Sequence, residues 1–201
     1  MENKEKNYVA KTKLGEAVLQ GKIKNIDEIL LKKKPIHEPW IVDILLPNVK
    51  YEIMELRTSQ RMTDSGRRTY YNAAVIVGSE NGYLGVGRGK ASEPSIAVNK
   101  AIERAKRNII KVPRGCGSWE CQCGTEHSIK RKVSGKESST YISLKPAPKG
   151  LGLAVNDTMK KILSICGIKD VWGKARGATG NIYNTLLATY KALDKLNLYE
   201  K

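Results

Sequence analysis

Apolar and polar positions divide the chain into stretches of helical period, a stretch of strand period and one stretch with neither. Near the amino terminus, Asn25 followed by Glu28 is a capping-box arrangement ahead of Ile26, Ile29 and Leu30, which predicts a short helix. A second short helix is predicted through Trp40, Val42 and Leu46, with Pro39 in its first turn and Pro47 ending it. From about residue 49 to residue 89 the pattern turns to strands. Residues 49–56, 69–77 and 83–87 are rich in β-formers, and Asn81-Gly82 signals a two-residue hairpin. A long helix follows, starting at Ser92 and Pro94, with Val98, Ile102, Ala105 and Ile109 on one side and Lys100, Arg104, Arg107 and Lys111 on the other. The prediction is a three-stranded antiparallel sheet backed by one helix whose outer face is a basic stripe.

Residues 113–127 hold Gly, Cys and Trp without a period, and a domain boundary is expected there. Beyond it, residues 129–133 and 141–144 read as strands. Met159, Ile162, Leu163 and Cys166 share one helical face, and Ile182, Leu186, Thr189, Leu193 and Leu196 share another. These predict a second α+β unit with both helices on one face of a small sheet. The expected fold class is therefore α+β in four parts. Residues 1–56 form a helical extension running into the first strand, 57–112 a sheet-and-helix domain, 113–127 a linker, and 128–201 a carboxy-terminal α+β domain.

Charge adds a partner to this outline. The 201 residues include 36 Lys plus Arg against 20 Asp plus Glu, a formal charge of +16, which points to a polyanion. Residues 1–56 carry a net charge of +1, residues 57–115 +8 and residues 116–201 +7, and eight of the ten arginines lie between positions 57 and 114. Arginine's planar fork matches a phosphate, so the polyanion surface should begin near Arg57. No run of about 18 apolar residues and no secretory leader occur, so the expectation is no membrane span, no export and a reducing cytoplasm. Four cysteines in such a compartment, three of them crowded together, suggest metal before disulfides.

Candidate chemistry gathers at three places. Cys116, Cys121, Cys123 and His127 supply three thiols and an imidazole within twelve residues, enough to close a tetrahedral zinc site with no open position. Closure argues for a structural metal and against catalysis; free thiols in a loop are the alternative. Cys166, on an apolar helical face, reads as a small core residue. The second place is residues 61–68, between two predicted strands. Arg61, Arg67 and Arg68 on a Gly66-containing loop, with the Thr63 and Ser65 hydroxyls, offer donors to phosphate and 2′-hydroxyl oxygens without base reading; a solvated hairpin loop is the alternative. The third is Gly85-Val86-Gly87-Arg88-Gly89-Lys90, which fails as a nucleotide loop. Leu84 stands where a P-loop needs Gly, Ala91 where it needs Ser or Thr, and Lys90 where a dinucleotide fingerprint needs its third Gly. There remain a backbone able to approach a surface, delivering Arg88 and Lys90 beside a helix start, and a strand where glycine permits helix packing. His37 stands alone and the carboxylates are scattered, so no catalytic residue and no nucleotide cofactor are expected.

Residues 61–68, 71–77 and 82–91 with the helix through Ile110, the run Pro146-Ala147-Pro148-Lys149-Gly150-Leu151-Gly152-Leu153, and the run from Gly167-Ile168-Lys169-Asp170-Val171-Trp172 to Asn184 together resemble the small-subunit ribosomal protein S-five family. Gly115-Cys116-Gly117-Ser118-Trp119-Glu120-Cys121 is similar to its archaeal branch in particular, with Gln122 where relatives often carry a small residue. The resemblance implies an amino-terminal domain like double-stranded-RNA-binding folds, followed by a carboxy-terminal α+β domain of the S-five type. It also implies a non-enzymatic seat on small-subunit ribosomal RNA beside the proteins S-four and S-eight. One side would face the path of incoming messenger RNA, with an influence on decoding accuracy. Carried over by position, Arg61, Thr63, Ser65, Gly66, Arg67 and Arg68 become the RNA-facing loop, preceded by Arg57. Arg88 and Lys90 lie in the same domain's sheet and turn, and Lys174 and Arg176 join the set from the last matched run. The rival class is a free zinc-containing RNA-binding or RNA-processing factor, separable by whether the protein travels with the small subunit.

Overall fold

The computed structural model describes residues 10–32, 34–121 and 123–197; Lys33, Gln122 and the two chain ends lie outside them. Three short helices open the chain, α1 (Lys13–Leu19), α2 (Ile26–Leu31) and α3 (Trp40–Leu45). They are too short to be stable alone and instead bury Val18, Ile26, Ile29, Ile36, Ile41 and Val42 in a cluster of their own. Asn25 stands at the N-cap of α2, but its side chain makes no capping bond. Tertiary contacts anchor α2: Asp27 accepts the Tyr83 hydroxyl at 2.8 Å and the Lys111 ammonium at 2.6 Å.

The first sheet contains β1 (Lys50–Thr63), β2 (Gly66–Ser79) and β3 (Tyr83–Ala91), followed by α4 (Pro94–Arg107) and a short β4 (Ile109–Lys111). The sheet is antiparallel in the order β1-β2-β3-β4 and has four strands, where three were expected. The long helix ends at Arg107, and Ile109 turns back along β3 to join the helical extension's apolar cluster. A three-residue strand is too short to show a period, which is why it merged with the helix in the sequence. The turn between β2 and β3 is one residue longer than expected. Ser79 pairs with Tyr83, and Gly82 takes φ +90°, the left-handed position of a three-residue hairpin.

α4 packs through alanine, and the predicted Val98 and Ile102 stay half-buried at its flank. Ala97, Ala101 and Ala105 are fully buried on the side facing Gly85, Gly87 and Gly89 of β3. A Cβ on any of these three glycines would collide with the carbonyl oxygens of Ala105, Ala101 and Ala97 respectively. The glycine row therefore lets helix and strand backbones touch, the packing role rather than the phosphate role of that motif.

The connector holds β5 (Arg114–Gly115), which pairs with β6 (Ser128–Ile129), so the predicted aperiodic linker is closed at its base by a two-stranded ladder. After it come β7 (Val133–Glu137), β8 (Thr140–Pro146), β9 (Leu153–Ala154), α5 (Asp157–Ile165), β10 (Val171–Gly177) and α6 (Ile182–Asn197). The second sheet runs β7-β8-β10-β9. Its inner face turns Gly135 to the Ala188 and Ala192 segment of α6, and Gly173 to Val155 and Met159.

One core joins the two halves. Ile76, Leu84 and Val86 of the first sheet pack in the same cluster as Ile142, Leu144, Met159, Leu163, Leu186 and Leu193. Helices α5 and α6 are thus sandwiched between the sheets, which explains why α6 buries Thr185, Ala188 and Ala192 as well as its leucines. The layers run α4, first sheet, α5 with α6, second sheet. Among the described residues, no element covers the outer face of the second sheet.

Candidate metal centre and nucleic-acid interface

The β5–β6 ladder brings the two ends of the connector together and folds its cysteines back onto His127. The ligand atoms of Cys116, Cys121, Cys123 and His127 all lie within 4.8 Å of one another, the one such group among the described residues. Cys121 Sγ is 3.8 Å from His127 Nε2. On the other side of the ring, His127 Nδ1 meets Asp170 Oδ2 at 2.8 Å, with both side chains buried. This bond makes Nδ1 the donor and aims the Nε2 lone pair at the thiols, the arrangement by which an outer carboxylate orients a metal-binding histidine. The Thr125 hydroxyl, 3.1 Å from Cys123 Sγ, holds that thiol down at about 6, so it is a thiolate at neutral pH. Three soft sulfurs and one imidazole, one of them already ionised, suit a metal ion.

Asp170 is held as firmly as it holds. Its Oδ1 accepts the backbone N–H of Gly150 at 3.1 Å and of Gly152 at 2.8 Å. Both glycines have positive φ, +93° and +77°, which curls their amides around the carboxylate, a conformation a side chain would strain. Ser128 Oγ donates to the Asp170 carbonyl at 2.5 Å and accepts Ala147 N–H at 3.2 Å. Lys169 N and Asp170 N donate to the His127 carbonyl at 2.9 and 3.1 Å. The Pro146-to-Leu153 motif, the Asp170 turn and the metal-ligand loop are one buried polar network.

Cys121, His127 and Asp170 also stand in the order nucleophile, base and orienting acid. Cys116 and Cys123 add two further thiols within 4.8 Å of the Cys121 and His127 ligand atoms, a donor set that could hold a metal ion.

The basic residues sort by sheet face. In the β1–β2–β3 register Arg57, Asn72 and Lys90 form one cross-strand row, Ser59 and Tyr70 the next, and Arg61 and Arg68 the last. Arg88 lies two residues from Lys90 on the same strand. Arg57, Arg61, Arg68, Arg88 and Lys90 therefore share the face opposite α4, beyond the part that α5 and α6 cover. Lys90 Nζ sits 4.5 Å from the Tyr70 ring centroid and Arg88 Cζ 5.1 Å from that of Tyr183. Arg61 directly opposes Arg68, a like-charge pairing that costs stability in the free protein. Arg57 is paired with Glu55.

The expected loop 61–68 is a continuation of the strands. Only Asp64 and Ser65 lie outside the ladder, since Thr63 pairs with Gly66 at φ +110°. The Thr63 hydroxyl donates to Gly66 O at 2.7 Å and so closes the turn, while Ser65 is exposed. Arg67 pairs with Met62 and points to the opposite face from Arg68. Lys174 and Arg176 are on β10, on the bare side of the second sheet, and are not brought together with the others. The basic stripe is shorter than expected. Lys100, Arg104 and Arg107 are exposed on α4, but Lys111 is on β4 and paired with Asp27.

Comparison with known proteins matches the two halves separately. The family model "Ribosomal protein S5, N-terminal domain" covers residues 49–113, and "Ribosomal protein S5, C-terminal domain" covers residues 135–201. The chain belongs to the ribosomal protein S5 family. A relative from Methanocaldococcus jannaschii is 52% identical over 187 residues, 93% of this chain and 86% of its own length. One from Picrophilus torridus is 50% identical over 191 residues (95% and 86%), and one from Thermofilum pendens 50% over 185 residues (92% and 92%). All three are named small ribosomal subunit protein uS5. The S5 family is structural and non-enzymatic, and the α+β class with two domains agrees with it. No helix among the described residues is long and apolar enough to cross a membrane.

Sequence reasoning missed Asp170, which is 43 residues from His127 and carries no spacing signal. It also missed that the second sheet's bare face is basic. Alternation over residues 133–136, 141–145 and 173–176 carries that signal.

Proposed function

We propose that the chain is a structural component of the small ribosomal subunit in the cytoplasm, bound to ribosomal RNA through the sheet face that carries Arg57, Arg61, Arg68, Arg88 and Lys90. The observation that carries this reading is the cross-strand pairing of Arg61 with Arg68 beside those cations. Repulsion built into a free surface is relieved when a phosphate backbone supplies the counter-charge. Arg67, Ser65 and Gly66 extend the contact around the turn. Under this reading residues 1–56 brace the first sheet, 57–112 meet RNA, 113–127 form a zinc-binding linker and 128–201 add the second basic surface.

The linker takes one structural zinc through Cys116, Cys121, Cys123 and His127. The ion would supply the charge that lets three sulfurs share one space, while Asp170 orients the histidine. Neighbours are the proteins S-four and S-eight, and the turn at Gly66 lies toward the entrance for messenger RNA, where it influences decoding accuracy. The test is Gly66→Asp in reconstituted small subunits at normal occupancy. Nothing lies within 4 Å of a Cβ built at Gly66, so the core stays folded while the turn gains negative charge and a strained φ. Altered misreading or initiation is expected; wild-type values for both would leave the turn an architectural role only.

A further inference from the structure

The thiols of Cys116, Cys121 and Cys123 are free and only half-buried, in a loop whose Trp119 is 87% exposed. Gly124, in the same loop, takes φ +62° with nothing within 4 Å of a built Cβ. The three sulfurs are therefore open to a small solute, whereas the fourth cysteine, Cys166, is fully enclosed. Backbone bonding within the loop is sparse among the described residues. Cys121 N–H donates to Ser118 O at 3.4 Å and His127 N–H to Thr125 O at 3.0 Å, above the β5–β6 ladder. What shapes the loop is the convergence of four ligand atoms within 4.8 Å of one another.

His127 carries that shape inward. Its ring stands between Cys121 Sγ, 3.8 Å from Nε2, and Asp170 Oδ2, 2.8 Å from Nδ1. The other oxygen of Asp170 accepts the Gly150 and Gly152 amides, so two side chains separate the thiols from a turn that exposes Lys149 and Leu151. Asp170 is buried, and leaving a buried carboxylate without its hydrogen-bond partner is costly, so it shifts when the histidine does. We propose that this chain of contacts is a redox-sensitive switch, in which a peroxide oxidises two of the three thiols, releases the metal and loosens the turn of residues 149–152. The proposal rests on reading Cys116, Cys121, Cys123 and His127 as the zinc site. In the step, one cysteine sulfur attacks a peroxide oxygen, the O–O bond breaks, and a sulfenic acid and one water result. A second cysteine sulfur then displaces the hydroxyl group as another water. One S–S bond forms, two thiols give up two electrons and two protons, and hydrogen peroxide is reduced to two waters. Only one thiol and the imidazole then remain as ligands, too few to close a tetrahedral site. With the Nε2 side of its ring unheld, His127 no longer fixes Asp170.

The test treats the zinc-loaded full chain with hydrogen peroxide. Zinc release is followed with a chromophoric chelator, the disulfide is mapped by mass spectrometry of peptides, and amide exchange is read at Gly150 and Gly152 with α4 as the internal reference. The expected result is a disulfide within the Cys116–Cys123 loop, zinc release in step with it, and exchange at both glycines faster by about tenfold or more while α4 keeps its rate. A dithiol reductant with added zinc should restore the starting state, and Cys166→Ala should respond as the wild type does. A disulfide and zinc release with both glycine amides unmoved would overturn the switch and leave the zinc site standing. Thiols intact and zinc retained under excess peroxide would overturn it in favour of an inert structural site. Equal acceleration in α4 would mean general unfolding, and oxidation that the reductant cannot reverse would mean damage; either overturns the switch. Protein without stoichiometric zinc before treatment overturns the metal reading itself, and the switch with it.

Discussion

His127 and Asp170 meet at 2.8 Å across 43 residues of sequence, and this buried bond ties the metal-ligand loop to the carboxy-terminal domain. Its consequence is that ligand geometry depends on a residue that is not a ligand. Asp170→Asn should weaken zinc affinity by about 10–100-fold, measured by competition with a chromophoric chelator. Asp170→Ala should in addition lower the thermal midpoint, because the Gly150 and Gly152 amides lose their acceptor. Unchanged zinc affinity in both variants would reduce the bond to a packing contact.

Purified protein prepared without chelator should contain about one zinc, and chelation should lower its thermal midpoint, because an ion that binds only the folded state stabilises it by mass action. Cys121→Ser should lose most of that stabilisation. Metal analysis finding no stoichiometric metal would reject the four-ligand site.

The thiols should also separate chemically. Burial pushes the Cys166 thiol up to about 12 and encloses it completely, whereas Cys123 is held at about 6. In native metal-free protein an alkylating reagent should modify Cys123 first and leave Cys166 untouched until unfolding. Added zinc should protect Cys123. Mass spectrometry of the labelled peptides gives the order directly.

Helix α4 offers a test of the fold alone. Gly87→Ala places a methyl group against the Ala101 carbonyl and the Ala105 backbone, neither of which is a flexible side-chain end. Forced separation of helix and strand should cost about 1–3 kcal/mol, read as a lower denaturant midpoint at unchanged slope. Wild-type stability would mean the two backbones are not in contact.

How much of this was legible in the sequence differs by element. The apolar faces of α5 and α6 were visible because Met159, Leu163, Leu186 and Leu193 repeat at helical spacing and are all buried. The grouping of Cys116, Cys121, Cys123 and His127 was visible because they are close in sequence and chemically rare. Asp170 was invisible, since one aspartate beside Lys169 looks like any surface charge until the glycine turn wraps around it. The Gly85, Gly87 and Gly89 alternation was visible but ambiguous, because a row of absent side chains serves a phosphate or a helix equally well until the alanines of α4 are placed opposite. The form of the loop expected at residues 61–68 was not legible. Nothing in Arg61 to Arg68 marks the ladder as continuing to Thr63 and Gly66, and that continuation decides that Arg68 and Arg67 face opposite ways.

The central claim is that the protein works as a fixed part of the small ribosomal subunit. Sedimentation of a cell extract through a gradient, with the protein followed by antibody, tests it most directly. The account predicts that nearly all of it runs with small-subunit and whole-ribosome particles, and stays there at moderate salt. Recovery as free protein at the top of the gradient, with none in the small-subunit peak, would contradict it.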